Sequence, residues 1–167
     1  MHLRRSLVLA AAVAVLVAPA AARAATGPAA SPATAAEQRW LSIVEQLSVN
    51  VADAGRDATL VGGSVASARA LLVDTQTLFG SAVAYGVFSG CTQTVRDAGR
   101  ATARLRAVRD SIDAACRPLI QASELFLGAI HGKRAQALVS AEARALVGMK
   151  LMAKAAARMA AFRKAHP

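Results

Sequence analysis

From Thr34 onward the apolar positions of the chain recur at helical spacing. Trp40, Val44, Leu47, Val51 and Ala54 are separated by four, three, four and three positions, which places them on one face of a helix. Thr34 stands three residues before Glu37, the arrangement of a capping box. Gly55, with Gly62-Gly63 soon after, is expected to interrupt this helix. Ser64 is a suitable cap for a second helix, whose apolar side is Val65, Ala68, Leu71, Leu72, Leu78, Phe79, Ala82 and Tyr85 and whose end is expected by Gly90. A third pattern joins Val95, Ala98, Thr102, Leu105, Val108, Ile112 and Ala115, with Arg96, Arg100 and Arg104 stepping by four along another face. Pro118 is expected to end or kink it, because proline has no amide donor and crowds the preceding turn. A shorter helix over 119–131 is expected to close at Gly132. A long final helix runs from about Lys133 to Lys164.

Four main helices with short connections predict an all-α, antiparallel helical bundle. Alanine dominates and aromatic residues make up 4% of the chain, so propensity favours helix over strand throughout.

The first residues follow a different pattern. Positive charge at Arg4 and Arg5 precedes an apolar run from Leu7 to Ala18, Pro19 breaks it, and Ala22 and Ala24 supply the small residues a signal peptidase accepts. The run covers about 18 Å as a helix, short of the roughly 30 Å of a hydrocarbon core. Cleavage of a secretory signal peptide over 1–24 is therefore expected, followed by a flexible lead-in over 25–33 rich in proline and glycine and a single helical-bundle domain over 34–164. Export places the protein in the periplasm, the cell envelope or the extracellular space. The Arg4-Arg5 pair fits a twin-arginine signal only in part.

Removing this segment changes the meaning of the charge. The whole chain carries a formal charge of +10. Residues 25–132 hold nine Lys and Arg against nine Asp and Glu, and residues 133–164 hold eight against Glu142 alone. The excess belongs to the last helix. On a helical wheel Lys133, Arg144, Lys150, Lys154 and Arg158 fall within about 120° of arc, with Leu138, Ala145, Met149, Met152, Ala156 and Met159 opposite. Val147, Leu151 and Phe162 fall on the cationic side, which suits shallow insertion into an anionic surface. Arg144, Lys150, Lys154 and Arg158 are accordingly the expected anionic-surface residues, and anionic lipid or an acidic envelope polymer the expected partner. The plainer alternative is a solvated bundle helix.

Cys91 and Cys116 are the only thiols. An exported domain ordinarily oxidises such a pair, but a straight helix between them holds their Cα atoms about 37 Å apart, far beyond disulfide reach. Either the chain bends, with Asp97-Ala98-Gly99 the expected place, or the cysteines stay unpaired or bridge two molecules. Neither has a partner at metal-ligand spacing, so no metal site is expected.

Other candidate chemistry is thin. Gly62-Gly63-Ser64 before a helix can cradle an anion through backbone amides, but it lacks the rest of a phosphate loop and reads as a linker and cap. His131 with one of Met149, Met152 or Met159 would supply an axial pair for haem, although no covalent attachment sequence is present. Past residue 24 the histidines are His131 and His166, and His166 is penultimate, where chains commonly fray. With no catalytic motif, no catalysis and no cofactor are expected. With Phe162 the one aromatic on the basic face, no nucleic-acid partner is expected either. The sequence thus predicts an exported, non-catalytic helical protein that binds an anionic surface. The alternative is a carrier of a small apolar ligand or haem.

Overall fold

Thr34 and Glu37 satisfy one another at the start of α1, Ala35–Ala58. The Glu37 amide donates to Thr34 Oγ1 at 3.2 Å, and the Thr34 amide donates to the Glu37 carboxylate at 2.9 Å. Trp40, Val44, Leu47, Val51 and Ala54 are all buried, as their spacing predicts. A computed structural model describes residues 31–58 and 61–167. The expected signal peptide, 1–24, and the first part of the lead-in lie outside the described residues.

Among the described residues every regular element is a helix, so the protein is all-α there. Gly55 does not interrupt α1, which continues for three more residues. Its missing side chain is used instead for contact, because a Cβ at this position would overlap the Met149 sulfur on the last helix.

The expected second helix is two helices. Ser64 caps α2, Val65–Leu71, its hydroxyl accepting from the Ser67 amide. The chain then bends by 104° before α3, Thr75–Ser89. The break belongs to Asp74, whose carboxylate accepts from the Thr77 amide at 3.2 Å and the Thr77 hydroxyl at 2.6 Å. That is a stronger start signal than the apolar run is a continuation signal. The bend resets the helical phase. Ser81, Ala84, Tyr85 and Phe88 face inward, and Phe79, expected on the apolar side, is 73% exposed.

The expected third helix also divides. A short α4, Cys91–Asp97, is followed by Gly99 with a φ of 86°, a conformation that favours glycine, and by a 3₁₀ turn at Ala103–Leu105. The bend falls at the place expected for paired cysteines. Cys91 and Cys116 form a disulfide with their Cα atoms 5.5 Å apart.

Beyond the turn, α5 spans Arg106–Gly132 and runs through Pro118, which does not end it. The missing amide hydrogen bond costs roughly 3 kcal/mol, and tertiary contacts on both sides offset it. Cys116 is tied to α4 two residues before the proline, and Leu119 packs on Gly148 directly after it. The expected break at Gly132 falls one residue later. Lys133 takes the left-handed conformation at φ 50°, and the Arg134 amide caps the helix by donating to Ala129 O at 2.9 Å.

The last helix, α6, is Ala135–Ala165. It returns along α5 with a register set by two contacts, Gly148 against Leu119 and the Arg158 guanidinium donating to the Ser111 hydroxyl. A Cβ on Gly148 would lie 2.5 Å from Leu119 Cγ, so the glycine permits the close approach. The α5–α6 hairpin is the most extensive helix pair, with α1 packed on α6 and α3, and α3 on α5. Tyr85 stacks on Phe126 at 4.1 Å and meets Phe88 edge-on at 5.5 Å, joining α3 to α5 at the centre of the core.

A cationic helix face and its surroundings

Glu142 is the single acid of residues 133–164, and it does not share the surface with the cations of α6. It is 3% exposed and turned toward the turn before α2. There its two carboxylate oxygens accept from the Gly62 amide at 3.1 Å and the Gly63 amide at 2.8 Å. Both glycines have positive φ, 54° and 71°, so consecutive amides point the same way and form a small anion nest. The Gly62-Gly63-Ser64 stretch is thus both a cap and a cradle, and the anion it holds is the protein's own. Burial, and after it the charge of the same carboxylate, pushes the Tyr85 hydroxyl above the usual phenol range.

With its acid turned inward, the outer face of α6 keeps its cations uncompensated. Lys150 and Lys154 are exposed, and neither forms an ion pair among the described residues. Between and beside them Val147 and Leu146 are each 49% exposed, and Leu151 is half-buried. The other expected surface cations are placed less freely. Arg158 is exposed but spends a donor on Ser111. Arg144 is exposed at a groove on the α5 side, where Gln121 and Glu124 also line the wall. Lys133 sits in the hairpin turn, away from the lysine pair.

The end of α6 is pinned. Arg163 grips Glu45 of α1 along one guanidinium edge, its Nε and Nη2 donating to the two carboxylate oxygens at 2.6 and 2.8 Å, which raises its already high pKa. His166 does not fray. Its ring lies 4.5 Å from Phe162, its Nδ1 is 2.9 Å from Ser31 O, and the Ala33 amide donates to its carbonyl at 3.3 Å. Ser31 to Ala33, the described end of the lead-in, are therefore held. Arg104 completes this knot by donating to Ser31 O and Pro32 O, approaching Glu37 at 3.4 Å and lying over the Phe162 ring. Phe162 is thereby half-buried, with its ring engaged by Arg104 and His166.

The methionines divide between core and groove. Met152 and Met159 are buried. Met149 and Met152 border an apolar groove of about 350 Å³ between α1 and α6, with Val49, Val51, Ala52 and Ala153 opposite and below. His131 is exposed at the hairpin end, about 20 Å along the helices from Met149. The two cannot approach one iron atom.

The column of Arg96, Arg100 and Arg104 expected on a continuous helix is taken apart by the turn at Gly99. Arg104 joins the knot at Glu37, while Arg96 and Arg100 line a cleft with Arg109 and Arg117 of α5. A tally of charge by region hides this grouping, because one of the nine balancing acids, Asp113, lines the cleft and the others do not. Among the described residues no group of three His, Cys, Asp or Glu side chains comes together as a metal site requires. No single helix there is long and apolar enough to cross a membrane. Comparison with protein-family models, curated proteins and solved structures finds no match to this chain.

Proposed function

We propose that the protein is an exported, non-catalytic helical bundle that binds an anionic lipid surface through the outer face of α6. The observation that carries this reading is the inward burial of Glu142, which leaves Lys150 and Lys154 beside half-exposed Val147 and Leu146 with no acid of the same helix among them. Apolar side chains between lysines suit shallow entry among lipid head groups better than contact with a hydrated polymer. Arg158 and Arg144 act at the margin of the strip. The four main helices of the bundle are α1, α3, α5 and α6. The signal sequence and the Cys91–Cys116 disulfide both support export. Nucleic acid is disfavoured, since the strip presents no aromatic side chain for stacking.

The test is sedimentation with vesicles. Binding to vesicles containing an anionic phospholipid is expected to be salt-sensitive and to weaken in K150Q/K154Q/R158Q. Equal binding to neutral and anionic vesicles, or binding to neither, would overturn the reading. Binding to an acidic polymer alone would replace the lipid as partner.

A second reading has one observation in its favour. The groove between α1 and α6 is almost wholly apolar, as a carrier of a small apolar ligand requires. The separation of His131 from Met149 removes support from the haem version. Native mass spectrometry of protein isolated from its source tests the carrier, which predicts a bound mass of a few hundred daltons.

A further inference from the structure

Four of the nine arginines in the electrically balanced part of the chain lie on one corner of the fold. Arg96 comes from α4, Arg100 from the turn after Gly99, and Arg109 and Arg117 from α5. Together with Asp113 and Thr92 they line an open cleft of about 740 Å³. Arg109, Asp113 and Arg117 are spaced by four and so share one face of α5. Asp113 is the single acid lining the cleft, 3.6 Å from Arg109. Arg96, Arg100 and Arg117 form no ion pair among the described residues.

The gathering has a covalent cause. Thr92 follows Cys91 and Arg117 follows Cys116, so the disulfide fastens the two walls directly behind the residues that line them. Like charges held in one cleft repel, and the crosslink keeps them there with Asp113 as the single internal anion against four arginines. Guanidinium groups present forked donors that match the oxygens of phosphate. The formal charge of the lining, four arginines against one aspartate, exceeds what one phosphate neutralises. The volume lies in the range of sites for small organic ligands. No aromatic residue lines the cleft and Val95 is its one large apolar side chain, so a nucleobase would find no stacking partner. Asp113 and Thr92 suit hydroxyl groups.

We propose that this cleft binds a soluble polyol or sugar bearing two or more phosphate groups. The site uses none of the α6 cations and is independent of the lipid contact. Arg96 and Arg117, from opposite walls, are the anchors, and Arg109 is held in place by Asp113.

Calorimetry on the oxidised protein at moderate salt tests this, with inositol hexakisphosphate as probe and inorganic phosphate, citrate and vesicles containing phosphatidic acid as comparisons. The expected result is one site for the hexakisphosphate, at least about tenfold tighter than for inorganic phosphate or citrate. R96Q/R117Q should weaken it by about tenfold or more, and K150Q/K154Q by less than about twofold. All four side chains are exposed, so helicity and melting temperature should match the parent and report on folding. No binding of the hexakisphosphate, equal binding of citrate, or an equal loss in both double variants would overturn the proposal. Arginine-dependent binding to the vesicles with none to the soluble probe would overturn the assignment to a soluble ester.

Discussion

Replacing Glu142 with alanine removes a polar bridge from the inner face of α6 to the turn before α2. The carboxylate is 3% exposed and accepts two backbone hydrogen bonds. Each is charge-assisted and would contribute about 1.5–3 kcal/mol if fully shielded. Gly62 and Gly63 are themselves exposed, so water can reach their amides once the carboxylate is gone, and the lower end of that range applies to each. The expected loss is about 3 kcal/mol, or roughly 6–12 °C in melting temperature for a domain of this size. E142Q keeps one acceptor oxygen but turns an amide donor toward the second backbone N–H, and should lose about half as much. Urea unfolding followed by circular dichroism measures both. Vesicle binding measured well below the melting transition should be unchanged in either variant, because the outer strip is untouched. An E142A protein within about 0.5 kcal/mol of the parent would refute the view that this carboxylate anchors the turn.

Three further outcomes follow from the packing and the buried polar groups. The C91S/C116S variant should lose about 3.5 kcal/mol on the chain-entropy estimate for the loop it opens; a loss below about 1 kcal/mol in urea would show that the crosslink adds little to the fold. G148A forces a Cβ to 2.5 Å from Leu119 Cγ and should destabilise by about 1–3 kcal/mol, whereas G86A in α3, with open space around it, should stabilise by about 0.5–1 kcal/mol. Similar melting temperatures for the two would contradict the close α5–α6 contact. Glu37 is held below the usual carboxylate range, first by the Thr102 hydroxyl, then by the Thr34 amide and Arg104, against the opposing effect of burial. Its ionised form therefore stabilises the fold fully above the unfolded-state pKa of about 4.3, and this contribution is lost as pH falls through the lower folded value. The stability gap between the parent and E37Q should narrow below about pH 4.3, and a gap that stays constant into strong acid would be inconsistent with that assignment.

The elements visible in the sequence were those set by local chemistry. The Thr34–Glu37 capping box, the buried stripe of α1 and the Ser64 cap all act within a few residues of themselves, and the structure has them where spacing predicts. Asp74 is an equally local signal, reinforced by Thr77 three residues on, but the apolar run across it predicts one continuous helix. Pro118 and Gly55 misled for the opposite reason. A proline or glycine inside a helix is a breaker by propensity, but here Leu119 on Gly148 and Met149 on Gly55 supply contacts that only the assembled fold contains. The bend at Asp97-Ala98-Gly99 was legible as a condition, since cysteines that pair within the chain require one.

For the candidate site, the cations of α6 were legible from composition by region, but their freedom was not. Nothing in spacing shows that Glu142 turns to the Gly62-Gly63 amides, that Phe162 is taken up by Arg104 and His166, or that Arg158 meets Ser111. The arginine cleft was hidden more deeply. Its four members span two helices and a turn, and a charge sum over the region cancels them.

If the outer face of α6 is the lipid contact, position and not net charge sets how the protein partitions onto an anionic surface. Partition onto vesicles of fixed anionic content tests it most directly when K150Q/K154Q is compared with R39Q/R69Q, which removes the same charge from exposed positions on α1 and α2. At about 1 kcal/mol for each cation near the bilayer, loss of the two lysines should lower the partition coefficient roughly 30-fold, while R39Q/R69Q should lower it less than about threefold. Equal losses in the two variants would show that net charge alone drives the partition and that the α6 face has no special part in it.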